Sequence, residues 1–164
     1  MEGMSGILKY SSILLLGLLL QWWIIFYSPL NLPERIPTTP IKVDGLLLVV
    51  LLLTILIIAE KRFLKVNPDS TIFKLMVYGT TICFLAEIVF QAIRQPFLNA
   101  ESFSDRFYYF LLGTIGITAY SAAFSFFIAF QLKRKKTGQL ILLIIGFVAI
   151  INIIKYLFPT LTGQ

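Results

Sequence analysis

Long apolar runs separated by short polar segments are the feature that most limits how this chain can fold. The runs lie at residues 7–27, 43–60, 71–94, 106–132 and 138–158. A bilayer core of about 30 Å needs roughly 20 helical residues to cross it, and a helix satisfies its own backbone polar groups there. The sequence therefore predicts an all-α integral membrane protein, a compact bundle of about five transmembrane helices forming a single domain over residues 1–164.

Composition supports this prediction. The chain is 58% hydrophobic and only 13% charged, whereas a soluble domain carries roughly 25% charged residues. Its net charge of +6 comes from short basic clusters between the apolar runs, which is how membrane topology is encoded. We therefore expect the lipid bilayer, and no nucleic acid, as a partner.

Polar and helix-breaking residues mark the ends of the runs. Four prolines between residues 28 and 43 exclude a helix there. Asp69 or Ser70 is the predicted N-cap of the third helix, and Ser102 with Asp105 resembles a capping box. Paired tryptophans, Trp22 and Trp23, are typical of a membrane interface.

The distribution of basic residues predicts the orientation. If the helices alternate in direction, the N-terminus, residues 61–70 and residues 133–138 share one side and, together with the nearby Lys74, carry nine of the 14 basic residues. The basic side belongs in the cytoplasm, so we expect a cytoplasmic N-terminus and an outside C-terminus, in the inner membrane if the chain is bacterial. A basic cluster on that side is interpreted as contacting lipid headgroups, or else as docking an acidic cytosolic partner: Lys133, Arg134, Lys135 and Lys136.

The third run holds the most unusual side chain, a carboxylate well inside an apolar span. Ionisable residues at such depth are functional candidates, and helical spacing places this one on a polar face consisting of Thr80, Thr81, Glu87, Gln91 and Arg94. One interpretation is structural, with Glu87 paired to Arg94 or to Lys155, near Asn152, on the fifth helix. In the other, Glu87 titrates, binds a cation or meets a partner. Asp44 and Glu60 end the second run and are expected to be solvated.

The fourth run is rich in small residues, which let helix backbones approach closely in membranes. We predict a helix-packing seam, either within the chain or between subunits, formed by Gly113, Gly116, Ala119 and Ala123.

Several chemistries lack the residues they require. The sequence has no histidine and one cysteine, Cys83, so a serine–histidine site, an intrachain disulfide and a cysteine metal site are excluded. We expect no cofactor, no metal and no enzymatic activity. The leading hypothesis is a non-catalytic subunit that self-assembles or joins another membrane protein. The alternatives are an oligomeric channel or transporter for a small ion or solute using the face around Glu87, and a membrane enzyme without histidine or metal.

Overall fold

The described part of the chain is helical and contains no strand. A computed structural model of the protein describes residues 2–27, 43–97 and 102–135, together with the single residues Gln139, Leu142 and Gly146. The helices are α1 (Glu2–Tyr27), α2 (Val43–Val66), α3 (Ile72–Arg94) and α4 (Phe103–Lys133). The prediction of an all-α chain is confirmed for these residues. The predicted fifth helix at 138–158 falls almost wholly outside them, so the number five stays a prediction.

Three of these helices are long and apolar enough to cross a membrane. The candidate spans are Gly3–Ile24, Ile72–Arg94 and Phe103–Lys133. Large apolar side chains are exposed on the outer surfaces of all three helices, for example Leu16, Phe84 and Leu112. Such surfaces suit lipid rather than water, so the described fold has the features of a helical membrane protein.

Helix α2 runs past its predicted end. It continues six residues beyond Glu60, through Lys61 and Arg62, to Val66. Lysine and arginine are good helix formers, and cations near a helix C-terminus interact favourably with its dipole. The charged residues after the apolar run therefore prolong the helix instead of ending it.

Side-chain caps begin the third and fourth helices. Thr71, rather than Asp69 or Ser70, is the N-cap of α3, and its hydroxyl accepts a bond from the Lys74 amide. The prediction was wrong because the turn is longer: the Ser70 amide bonds back to the Asn67 carbonyl at 3.1 Å. Ser102 caps α4 as predicted, accepting from the Asp105 amide at 3.1 Å.

Helix α3 is the centre of the bundle and contacts α1, α2 and α4. On one side, the Ser11 hydroxyl of α1 donates to the Ile82 carbonyl at 2.8 Å. On another, the rings of Phe63 in α2 and Tyr78 lie 4.4 Å apart. An apolar core including Leu14, Leu56, Ile82 and Ile128 fills the space between the helices.

Consecutive helices run in opposite directions. The beginnings of α1 and α3 lie together, since a Cβ built on Gly6 would lie 2.8 Å from the Tyr78 hydroxyl. The end of α4 reaches the α2–α3 turn, where Lys133 Nζ donates to the Pro68 carbonyl at 2.8 Å. The starts of α1 and α3 and the ends of α2 and α4 therefore share one end of the bundle, which we call the basic end because Lys61, Arg62 and Lys133 lie there.

The cap of α3 gives a test of local stability. We expect Thr71→Ala to lower the free energy of unfolding in mild detergent by about 1 kcal/mol, because an amide of the first turn loses its acceptor. Thr54→Ala is the matched control, since the exposed Thr54 hydroxyl donates to the Val50 carbonyl of its own helix and caps no helix. Equal losses from the two variants would contradict the assigned cap.

Candidate functional site

A line of polar side chains is buried where α3 and α4 pack together. The two antiparallel helices meet at positions that step by four residues, forward on α3 and backward on α4: Gly79 faces Ser125, Cys83 faces Ser121, and Gln91 faces Gly113. Residues four apart share one face of a helix, so the line continues along most of the interface. We call this line, together with Glu87 on the same face of α3, the polar seam.

Glu60 of α2 joins the polar seam near the basic end. Its side chain is 0% exposed, and the Ser125 hydroxyl donates a short hydrogen bond to Glu60 Oε1. The same hydroxyl contacts the Met76 carbonyl at 3.0 Å. The second carboxyl oxygen, Oε2, is buried and has no hydrogen-bond partner among the described residues.

The expectation that Glu60 is solvated is wrong, and the course of α2 explains why. The helix does not end at Glu60 but continues to Val66. The buried face of α2 includes Leu52, Leu56 and Ala59, and Glu60 lies one turn after Leu56 on that face. Continued helical periodicity beyond the apolar run is the sequence signal that would have identified it.

Gly79 is what lets the three helices converge around Glu60. A Cβ at this position would lie 2.7 Å from Glu60 Oε1 and 3.0 Å from Leu56 Cδ2, and closer still to Ser125 Oγ. Any larger residue would therefore occupy the space of the hydrogen bond between Glu60 and Ser125. The contact depends on the missing side chain at residue 79.

A second carboxyl group, that of Glu87, lies on α3 about two turns beyond Gly79. Glu87 is 3% exposed and Gln91 is 5% exposed, and Gln91 Nε2 donates to Glu87 Oε1 at 2.5 Å. Gly113 of α4 makes room for the amide, because a Cβ there would lie 3.0 Å from Gln91 Cδ. Two glycines on opposite helices thus accommodate the two ends of the polar seam.

Cys83 lies between the two carboxyl groups. Its thiol is buried beside the Ser121 side chain and lies within electrostatic reach of both Glu60 and Glu87. The Ser121 hydroxyl in turn donates to the Ile117 carbonyl at 2.7 Å. Eight residues at about 1.5 Å each separate Gly79 from Glu87, so the carboxyl groups lie on the order of 12 Å apart along the helix axis.

The other residues of the predicted polar face have different surroundings. Thr80 and Thr81 donate to carbonyls of their own helix, those of Met76 at 2.8 Å and Val77 at 2.7 Å. Arg94 is exposed at the end of α3 and lies within electrostatic reach of Glu87, but the described hydrogen bond of the Glu87 carboxyl goes to Gln91. Lys155 and Asn152 lie outside the described residues, so an ion pair with the fifth helix stays a prediction.

The small residues and the basic residues predicted to act as sets on α4 have different surroundings within each set. Of the small residues, Gly113 lies against α3, whereas Ala119 is exposed and Gly116 and Ala123 are half-buried. Of the basic cluster, Lys133 bonds to the α2–α3 turn, and the Arg134 guanidinium lies 4.2 Å from the centre of the Phe130 ring. Lys135 is exposed, and Lys136 lies outside the described residues.

The groups in the polar seam are two carboxyls, two hydroxyls, one thiol and one amide. Within the described ranges, no three acidic, histidine or cysteine side chains come together to hold a metal ion. Buried carboxyl groups of this kind mark proton relays and ion pathways in membrane proteins. Of these groups, Glu87 and Gln91 belong to the polar face predicted from the sequence.

The close approach at Gly79 can be tested by adding one methyl group. We expect Gly79→Ala to lower the free energy of unfolding by about 1–3 kcal/mol, because the helices must separate to admit it. Gly3→Ala is the control, since a Cβ on this exposed glycine would meet no described atom within 4 Å. A loss no larger than that of the control, measured by thermal unfolding in detergent, would contradict the geometry described at Glu60.

Comparison with known proteins returned no relative. No protein-family model, no curated protein and no solved structure matches this chain. Any function for it therefore rests on the chemistry of its own residues.

Proposed function

We propose that this chain is an integral membrane protein that moves protons or small cations along the polar seam, with Glu60 and Glu87 as its charge-bearing groups. The observation that carries this proposal is the burial of two carboxyl groups on one continuous helix interface. The proposal extends the hypothesis drawn from Glu87 alone, because Glu60 supplies a second group at the other end of the same interface.

The energetic cost of these side chains supports a functional role. A charged group inside a membrane costs a few kcal/mol or more, and intramembrane ionisable residues generally mark ion pathways or proton relays. Within the described part of the chain, neither Glu60 nor Glu87 has a basic partner in an ion pair. An apolar residue at either position would pack as well at lower cost, which indicates a use beyond helix packing.

The dimensions of the polar seam limit what can move along it. Side chains fill the space opposite Gly79 and Gly113 so closely that an added Cβ would collide with them. A proton passing between neighbouring groups needs no open channel, and a small cation needs only a modest separation of the helices. Larger solutes do not fit this geometry, which narrows the proposed cargo to protons and small cations.

The basic end gives the proposed orientation. Basic side chains with solvent exposure gather there from three helices, including Lys61, Arg62, Lys74 and Lys135. The positive-inside rule assigns such an end to the cytoplasm. Glu60 then lies nearer the cytoplasm and Glu87 nearer the outer surface, with the N-terminus inside and, in a bacterium, the inner membrane as the location.

Flux through liposomes tests the proposed function. In vesicles with a pH or cation gradient, we expect Glu87→Gln and Glu60→Gln each to slow flux by about tenfold or more, which is an added barrier of about 1.4 kcal/mol. Asp105→Asn is the control, because Asp105 is an exposed carboxylate in the first turn of α4. Wild-type flux no faster than that of empty vesicles, or variants equal to the wild type, would overturn the proposal.

A second candidate function is a subunit that assembles with itself or with another membrane protein. The favouring observation is the exposed middle of α4, where Ala119 lies among the larger exposed residues Ile115 and Tyr120. Small residues beside large ones form surfaces onto which a second helix can pack closely. This role is compatible with ion movement, since an oligomer would enclose the polar seam further.

The mass of the purified protein in mild detergent tests this second candidate. We expect native mass spectrometry to show a defined oligomer or a stoichiometric partner, and Ala119→Trp to dissociate it because the bulky ring prevents close approach. Leu16→Trp, on the exposed surface of α1, should leave the mass unchanged. A wild-type protein recovered only as a monomer would contradict assembly.

A further inference from the structure

Among the described residues, no basic side chain neutralises the Glu60 carboxyl group. Its neighbours in sequence, Lys61 and Arg62, are exposed, and no ion pair to Glu60 is found in the described ranges. The polar groups that the packed helices bring to Glu60 are Ser125 of α4, which bonds to it, and Cys83 of α3, which lies within electrostatic reach of it. Tyr78, next to Gly79 on α3, lies within electrostatic reach of Tyr10 from α1 and of Arg62 from α2.

The hydrogen bonds that Ser125 can make depend on whether Glu60 carries a proton. The hydroxyl has one hydrogen but contacts two oxygens, Glu60 Oε1 and the Met76 carbonyl. If Glu60 is a carboxylate, the Ser125 hydroxyl donates its single hydrogen to Glu60, and no hydrogen is left for a bond to the Met76 carbonyl. If Glu60 carries a proton, Glu60 donates to Ser125 and Ser125 donates to Met76, so that each contact has its own hydrogen.

We propose that Glu60 is a proton-binding site and that the Ser125 hydroxyl changes its acceptor when the proton binds, from the Glu60 carboxylate to the Met76 carbonyl. The inference rests on the proposed function and names the ion that Glu60 takes. No covalent bond to carbon changes: one O–H bond of a hydronium ion breaks at the basic end, which leaves water, and one O–H bond forms on the carboxylate.

A metal cation fits this place less well than a proton. Hard cations such as Ca²⁺ and Mg²⁺ take about six or more oxygen ligands. The described oxygens at Glu60 are its own two, the Ser125 hydroxyl and the Met76 carbonyl, and the Met76 carbonyl also accepts from Thr80. On the side of Gly79 there is little room for further ligands, because a Cβ built there would lie 2.7 Å from Glu60 Oε1 and 3.0 Å from Leu56 Cδ2. A single proton on Oε1, the oxygen that contacts Ser125, makes the whole carboxyl group neutral, so that the unpartnered Oε2 no longer carries charge.

The change of acceptor links proton binding to helix packing. With Glu60 protonated, Ser125 bonds α4 to the backbone of α3 at Met76. With Glu60 ionised, that bond is lost and a buried negative charge remains between α2, α3 and α4. Since an unpaired buried charge is costly, we expect release of the proton to loosen the three helices around Gly79 and admit water from the basic end.

Infrared difference spectroscopy of the protein in lipid bilayers tests the proton site directly. Between acid and alkaline pH we expect loss of a carboxylic-acid C=O band that is absent from Glu60→Gln and present in both Glu87→Gln and Asp105→Asn. Ser125→Ala should keep this band but move it to higher frequency, because the carboxylic acid then lacks its serine acceptor. This shift tests the site even if Glu60→Gln fails to fold.

Two results would overturn the inference. One is a set of difference spectra in which neither Glu60→Gln nor Ser125→Ala departs from the wild type. The other is a Glu60 carboxylate band that responds to exchange of sodium for a large organic cation at constant pH, which would identify a metal-ion site instead.

The spectra and the flux assay test separate claims, so one claim can be overturned while the other stands. A titrating Glu60 in a protein without flux would preserve the proton site and remove the proposed transport function. Flux in a protein whose Glu60 does not titrate would remove the proton site alone.

Discussion

The close approach of α3 and α4 is the constraint on which the rest of the structure depends. It requires glycine at two places, Gly79 on α3 and Gly113 on α4, because each lies against a polar side chain from a neighbouring helix. Helices in lipid gain little from apolar burial against one another and associate through close packing and hydrogen bonds. Here the same contact provides both, since the glycines bring the backbones together and the polar groups bond across the gap.

This arrangement reverses the usual distribution of residues in a soluble bundle. Apolar side chains such as Phe84 and Leu112 are exposed on the outside, while Glu60 and Glu87 are buried. A lipid solvent explains the outside, because it accepts apolar groups at no cost. The inside is not explained by solvent alone. Neither acidic side chain forms an ion pair within the described part of the chain, so their burial is a cost that packing does not require, and the proposed ion movement would give them a purpose.

The two carboxyl groups differ in how they are held, which suggests different tasks. Glu87 bonds to an amide one turn away on its own helix, so its surroundings move with α3. Glu60 belongs to α2 but bonds to α4 across the backbone of α3, so a change in its protonation affects the packing of all three helices. In the proposed function, Glu60 is therefore the group able to couple proton binding to a change in helix packing. Glu87 binds and releases the moving ion without changing the contacts between helices.

Much of the helical framework followed from the sequence alone. Apolar run lengths predicted the positions of α1, α3 and α4, and Ser102 predicted the start of α4, because span length and capping are local properties of the chain. Glu87 and Gln91 were also identified locally, from a charge at helical spacing within one apolar run. Glu60, Ser121 and Ser125 were not, since each looks ordinary in its own helix. Only the tertiary structure brought them together, because the register between α3 and α4 and the continuation of α2 to Val66 decide which side chains meet at Gly79.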